Sequence, residues 1–408
     1  MTMKMIAGAA SVAVLIGTSA AYAQDATPTQ PTELRTEAPP PQEAPTGDGF
    51  VDRMRNWAED IQLIERLNGD VDGWYPRLGG MTTGSGFAFG PGYRTHVTDK
   101  RFYVDASAAM SHKLYKAFDA KVEWVQSRHP NAELWTNFRY QDFPQEDFFG
   151  LGSTSSVGAR TSYALKSTDI TAIGIYHLRR WMRIGTELGY FQPTIGRGTD
   201  KTLPSAELVF TDAEAPGLAA QPDFLHTTLF AEIDYRDSRG NPRSGGFYKG
   251  SFGIWDDTSL EQFDFRRFDA EAAQFVPISA SKRHVLASRA AVAYVNNAGG
   301  ERVPFYFVPY VGGSHTVRSY QEFRFQDENA FWWNSEYRWN VHKRLDIAPF
   351  FDVGHVHHNW DELFTGDIKT GYGIGFRLVN RSRVLARFDI GLGGSEGKQF
   401  LFKLNESF

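Results

Sequence analysis

Residues 330–341 alternate without a break. One set is Phe331, Trp333, Ser335, Tyr337, Trp339 and Val341; the other is Ala330, Trp332, Asn334, Glu336, Arg338 and Asn340. A period of two sends the two sets to opposite faces of a β-strand, one apolar and aromatic, the other polar and charged. Residues 223–236 repeat the pattern, with Leu225, Thr227, Leu229, Ala231, Ile233 and Tyr235 opposed to His226, Thr228, Phe230, Glu232, Asp234 and Arg236. A soluble sandwich also alternates, but it has no need of aromatics at both ends of so many strands. A wall with lipid outside and a polar lumen inside does. In lipid every backbone group must be paired within the protein, so such a sheet has to close. The expected fold class is all-β, a transmembrane β-barrel.

Strands are expected near 74–83, 85–94, 101–111, 113–126, 132–141, 161–178, 180–192, 222–236, 245–257, 262–276, 282–295, 328–340, 342–354, 368–380, 383–394 and 398–408. This makes a 16-stranded antiparallel barrel over 74–408. The long gaps (142–160, 193–221, 296–327 and 355–367) all follow odd-numbered strands, and gaps after even-numbered strands are short. Short periplasmic turns alternating with long outer loops are the known asymmetry of outer-membrane barrels, so both termini are expected in the periplasm. Mean hydropathy is only −0.40, because alternation hides the apolar face. The aromatic share of 14% (Phe 32, Tyr 17, Trp 10) reflects the girdles at the two membrane interfaces.

Ahead of the barrel, a basic start, an apolar run from Met5 to Ile16 and the site Ala21-Tyr22-Ala23 describe a secretory signal peptide over 1–23, cleaved after Ala23. The run is too short to span as a helix, which takes roughly 20 residues. Residues 24–47, rich in Pro, Thr, Glu and Gln, read as a disordered linker. Phe50, Met54, Trp57, Ile61 and Ile64 recur at steps of four and three, predicting an amphipathic helix over 48–68. Two readings of it stand: a surface helix resting on something apolar, or a plug for the barrel. The absence of cysteine excludes disulfides, thiolate metal sites and a lipidated N-terminal Cys. The net charge of −5 gives no sign of a nucleic-acid partner.

Five segments resemble a known family. Pro76-Arg77-Leu78-Gly79-Gly80 with Gly84-Ser85-Gly86 looks like the entry into the first two strands, and Asp147-Phe148-Phe149-Gly150-Leu151-Gly152 like an aromatic-glycine segment in an early outer loop. Asp234-Tyr235-Arg236-Asp237, with Asn241-Pro242 and Gly245, is similar to the mid-barrel periplasmic turn. Gly312-Gly313-Ser314 with Val317-Arg318-Ser319-Tyr320 is similar to the sixth outer loop and its tip. Phe351-Asp352-Val353-Gly354 looks like the strand motif facing that tip. In this order, over about four-fifths of the chain, they resemble the barrel of the BamA/TamA surface-antigen superfamily of outer-membrane insertases and translocases. Two departures stand out: Ser319 replaces the usual Gly at the tip, and the region ahead of the barrel has room for one helix but for none of the family's periplasmic POTRA modules.

The resemblance implies that Arg318 folds into the barrel and pairs with acidic side chains on its wall. Glu336 and Asp352 lie on inward-facing sets of neighbouring strands, and a tight connection at Val341 would put Glu336 nearly opposite Asp346. Arg318 is therefore expected to pair with Asp352 or Glu336 and to hold the loop inside. Phe400, Phe402, Leu404 and Phe408 alternate in the last strand and fit the family's C-terminal assembly signal; that strand must pair with the first to close the barrel.

Three apparent active sites are set aside. Gly393-Gly394-Ser395-Glu396-Gly397 spells the hydrolase elbow, which works only between a strand and a helix. Gly371, Gly373 and Gly375 lie in a strand with no helix after them, so they form no nucleotide fingerprint. His355, His357, His358 and Asp361 crowd one outer loop, where solvated histidines are commoner than metal ligands. The chain is thus expected to be no enzyme, to need no cofactor and no metal, and to assist insertion, assembly or translocation of polypeptides at the outer membrane. Its expected partners are outer-membrane lipid and lipopolysaccharide, with unfolded outer-membrane clients or a separate periplasmic protein. The alternatives are a channel plugged by the N-terminal helix and a structural or lipid-handling barrel.

Overall fold

The computed structural model describes residues 71–82, 84–125, 131–297, 302–380, 383–404 and 408. The predicted signal peptide, linker and amphipathic helix, with Phe50, Met54, Trp57, Ile61 and Ile64, lie outside them. Sixteen strands form one antiparallel sheet in chain order. They are β1 (Gly73–Gly79), β2 (Ala88–Val97), β3 (Phe102–Ser111), β4 (Lys116–Trp124), β5 (Ala132–Phe148), β6 (Thr161–Arg179), β7 (Met182–Arg197), β8 (Phe224–Asp234), β9 (Gly245–Asp257), β10 (Phe265–Pro277), β11 (His284–Asn297), β14 (Asn329–His342), β15 (Leu345–His357), β16 (Lys369–Val379), β17 (Val384–Leu392) and β18 (Gln399–Leu404). Between β11 and β14, β12 (Tyr310–Val311) and β13 (Phe325–Gln326) form a separate two-stranded ribbon. The sheet rolls into a nearly closed barrel. Among the described residues no ladder joins β1 to β18.

The alternation sorts the faces as a lipid-bounded wall requires. Trp333, Tyr337 and Trp339 are exposed outside, while Trp332, Asn334, Glu336 and Arg338 are buried inside. Several strands outrun the pattern. β5 continues to Phe148 through a register shift between Phe143 and Glu146, taking Asp147 and Phe148 out of the expected outer loop. β2 begins three residues later than expected, after the loop holding Gly84 and Gly86, both with positive φ.

The lumen is not open. The chain after β11 turns back into the barrel, and Phe307 sits among Phe191, Phe224, Trp255 and Phe265, with ring centroids 4.8–5.5 Å away. Phe305 meets Phe148 and Tyr163 at 4.7 and 4.9 Å. Together with Val303 and Val308 these form the largest apolar cluster of the molecule, inside the wall made by β5–β11. Only the Arg318 tip of this long loop was expected inside; the segment around Phe305 and Phe307 fills the barrel as well, because its run of apolar residues has no water-stable place outside.

On the short-turn side, the 235–244 turn folds inward and reaches β15, the turn after β16 and β17, four to six places beyond β9 around the sheet. Asn241 Nδ2 donates to the Asn380 carbonyl at 3.1 Å, and the Val384 amide donates to the Gly240 carbonyl at 2.9 Å. Arg243 binds Asp346 at the foot of β15. This strap ties the middle of the wall to the strands beside the open edge.

Candidate functional site

The inner loop makes its tip with a tight hairpin. Gly312 and Gly313 have φ of +124° and +88°, left-handed values that suit glycine. A Cβ at Gly312 would lie 2.1 Å from the Gln321 carbonyl oxygen. The Gly313 amide donates to the Tyr320 carbonyl at 2.9 Å, and the Thr316 hydroxyl both accepts from the Gly312 amide and donates to its carbonyl. Val317 and Tyr320 pack with Val311, Phe325, Trp332 and Val356, which orients Arg318 toward the wall.

Arg318 lies fully buried against β14 and β15. Its Nε and Nη2 donate to the two Asp352 oxygens at 2.8 and 2.7 Å, and its own amide donates to Asp352 Oδ2 at 3.1 Å. Its Nη1 donates to Glu336 Oε1 at 2.6 Å and lies 3.6 Å from Asp389 Oδ2. The guanidinium stacks on Phe350, 3.6 Å from the ring centroid. Burial acts to lower its pKa, but the negative charges of Asp352, Glu336 and Asp389 outweigh it and hold the pKa above the usual guanidinium value.

Arg318 reaches both expected carboxylates. The register explains this: Glu336 stands opposite Phe350, not near Asp346, and Asp352 stands opposite Asn334. The tight turn is at Lys343-Arg344 rather than Val341, with a register shift between Asn340 and His342. Asp352 and Glu336 thus sit diagonally on one face, within the span of a single planar fork. Asn334 Nδ2 closes the site by donating to Asp352 Oδ1 at 2.9 Å and to the Thr316 carbonyl at 2.5 Å.

Four further charged residues, unmarked in the sequence reading, complete the cluster. Arg338 and Arg377 donate to Glu336 at 2.7 and 2.5 Å, and Arg387 donates to Asp389 at 2.5 Å and to the Ser314 carbonyl at 3.0 Å. The alternation did carry them: Gly371, Gly373, Gly375 and Arg377 share one face of β16, as Arg387, Asp389 and Gly391 share one face of β17. Of the glycines dismissed as a nucleotide motif, Gly371 faces the tip, and with Gly391 and Gly394 it makes the trough in which the tip lies. A Cβ at Gly391 would meet the Arg318 carbonyl oxygen at 2.1 Å, and one at Gly371 the Ser319 hydroxyl at 2.3 Å.

The remaining predicted residues fall into place around this centre. Ser319 is buried, its hydroxyl donating to the Leu392 carbonyl, and its φ is not positive, so serine is unstrained there. Phe351 faces outward while Gly354 faces the tip, where an added Cβ would lie 2.9 Å from Val317 Cγ2. The aromatic-glycine segment also touches the loop: Gly152 N donates to the Gln326 carbonyl at 2.7 Å, and Arg324 donates to Ser155 and lies over Phe149. Glu396, from the false hydrolase elbow, binds Arg324. His355 turns inward to the Leu363 carbonyl, away from His357 and His358, which pair with Glu362 and Glu328.

The last strand departs from expectation. Phe400 and Phe402 face outward, but β18 ends at Leu404, and Phe408 lies on the inner side. Its ring is 6.0 Å from Phe275, 4.9 Å from the Arg338 guanidinium and 5.4 Å from that of Arg289.

Residues 221–408 match the Omp85 superfamily domain. In fold the chain is similar to the crystal structure of BamA from Haemophilus ducreyi lacking POTRA domains 1–3, with a TM-score of 0.60 at 12% identity over 81% of this chain and 69% of that one. It is also similar to CdiB from Escherichia coli, with a TM-score of 0.54 at 11% identity over 81% of this chain and 61% of that one.

Proposed function

We propose that this chain is an Omp85-type outer-membrane barrel that assists insertion or translocation of polypeptides there, a reading supported by the match of residues 221–408 to the Omp85 superfamily domain and by the BamA-like fold. The working element of this reading is the edge between β1 and β18. The observation that carries it is the missing ladder between those strands among the described residues. A sheet edge in a membrane offers backbone donors and acceptors that an incoming strand can pair with, while lipid offers none. In this reading the short turns face the periplasm, so that clients meet the edge from that side.

The lock centred on Arg318 has a complementary role. It holds the loop in the lumen, keeping the wall of β14–β17 rigid beside the edge and the barrel closed to solutes. The filled lumen disfavours the channel reading, since Phe305, Phe307 and Tyr306 occupy the space a conducting path would use. The chemistry is binding and templating, with no bond made or broken.

The test is the folding rate of an unfolded small outer-membrane barrel into liposomes that carry this protein, beside Arg318→Ala and beside empty liposomes. Acceleration by the wild type, reduced by the substitution, is the expected result. Equal rates in wild-type and empty liposomes overturn the proposal.

A further inference from the structure

The two rims of the barrel differ sharply in charge. Every turn on the short-turn rim carries at least one Lys or Arg, and the only acidic residues in those turns are Asp99 and Asp237. Two of the long loops are the reverse: residues 198–223 hold Asp200, Glu207, Asp212, Glu214 and Asp223 against Lys201 alone, and residues 358–368 hold Asp361, Glu362 and Asp367 with no Lys or Arg. The chain as a whole is acidic at −5, so the basic rim is a local arrangement that overall composition does not explain.

Part of this basic charge is committed within the fold. Arg236 pairs with Asp234, Arg243 with Asp346 and Lys282 with Asp237. Lys100, Arg101, Arg180, Lys343 and Arg344 are exposed and form no ion pair among the described residues. They sit in three turns: after β2, after β6 and after β14. These turns are spread around the barrel rather than gathered on one side.

Exposed aromatic side chains lie on the strands that lead into two of these three turns or in the turn itself. Tyr176 and Trp181 flank Arg180, and Tyr337 and Trp339 precede Lys343-Arg344; all four are exposed. Trp and Tyr settle at the level of lipid headgroups, with the ring toward the acyl chains and the polar atom toward water. Such a belt fixes where the headgroups lie, and the adjacent ammonium and guanidinium groups then stand at phosphate height. A discrete docking partner would call for a patch on one side; a ring matches the leaflet that surrounds the barrel.

We infer that the short-turn rim is a binding surface for anionic phospholipid headgroups, with Lys100, Arg101, Arg180, Lys343 and Arg344 as its phosphate contacts. This rests on the barrel's seat in a membrane and is independent of the insertase reading. Exposed cations of this kind act additively and are screened by salt. The surface selects charged over zwitterionic lipid without a shaped pocket.

The full chain is reconstituted in mixed vesicles of phosphatidylcholine and phosphatidylglycerol, extracted as lipid-bearing discs, and the retained lipid quantified. Phosphatidylglycerol is expected to be enriched roughly threefold or more over the vesicle ratio at low salt and to approach that ratio at high salt. Changing the five residues to Gln should abolish the enrichment, with heat-dependent gel mobility reporting that the barrel is intact. Should that variant fail to fold, the salt series on the wild type and Lys343→Gln/Arg344→Gln decide the matter. Retained lipid at the vesicle ratio in all conditions overturns the assignment. So does enrichment seen only after residues 24–70 are deleted, because the chain's own acidic N-terminal segment would then be the rim's occupant.

Discussion

Arg318 and Asp352 are joined by three hydrogen bonds, and one of the donors is the backbone amide of Arg318 itself. The carboxylate therefore fixes both the side chain and the path of the loop tip. Replacing Arg318 by Ala leaves Asp352, Glu336 and Asp389 buried with a cation removed, a change expected to cost about 3–5 kcal/mol. Arg318→Lys keeps a charge but loses the planar fork, so it should fall between wild type and Ala. Unfolding by urea in micelles, followed by tryptophan fluorescence, ranks the three; an Ala variant as stable as wild type contradicts the pairing.

The glycine trough makes a steric prediction independent of charge. Gly391→Ala would press a methyl group onto the Arg318 carbonyl and should push the tip out of the lumen. Gly196→Ala, whose added carbon meets only Ala164 at 3.8 Å, should be tolerated. In this cysteine-free chain a single Ser319→Cys gives the readout: thiol labelling from the long-loop side should be slow alone and fast when combined with Gly391→Ala.

Closure of the lumen predicts electrical silence. Deleting residues 24–70 should leave the barrel non-conducting in planar bilayers, because Phe305 and Phe307 block the lumen from their own loop. Steady ion flow through that deletion would restore the channel reading with the N-terminal segment as plug. Phe305→Ala/Phe307→Ala opens the aromatic cluster and is expected to admit intermittent current.

The short-turn strap carries a pH signature. Partial burial raises the Asp237 pKa, but hydrogen bonds from Lys282 and from the Arg243 and Ser244 amides outweigh it and hold the carboxyl at about 2, below its ordinary 3.8. A folded pKa below the unfolded one means the contribution to stability is full above about 3.8 and is lost as pH falls through about 2. Carboxyl carbon shifts of Asp237 titrated by NMR should give that lower midpoint in the wild type. A midpoint at the ordinary value would show that the turn does not hold Asp237 as described.

The wall was legible in the sequence because lipid imposes it. Where one face meets hydrocarbon, Trp333, Tyr337 and Trp339 must alternate with Asn334, Glu336 and Arg338, and periodicity alone finds the strand. The inward tip of the loop was expected from the family resemblance, but its aromatic half was not legible, since Phe305-Tyr306-Phe307 has no period and only the tertiary fold shows that it points inward. Register was the second blind spot: the turn lies at Lys343-Arg344, two residues beyond Val341, which moves the partner of Glu336 from Asp346 to Phe350. The glycines of β16 and β17 were visible, but their purpose depends on a chain segment some fifty residues or more away.

The inner loop also orders events in time. Its first part, around Phe305 and Phe307, packs on β5–β10, all of which precede it in the chain. Its tip touches β11, where Arg289 donates to the His315 carbonyl, but the partners of Arg318 all lie on β14–β17, which follow it. During assembly the aromatic half can settle as soon as it is made, while Arg318 has no partners until Glu336, Asp352 and Asp389 arrive in turn. The last strands must therefore wrap around a loop already anchored, and the ionic lock is the step that registers their arrival.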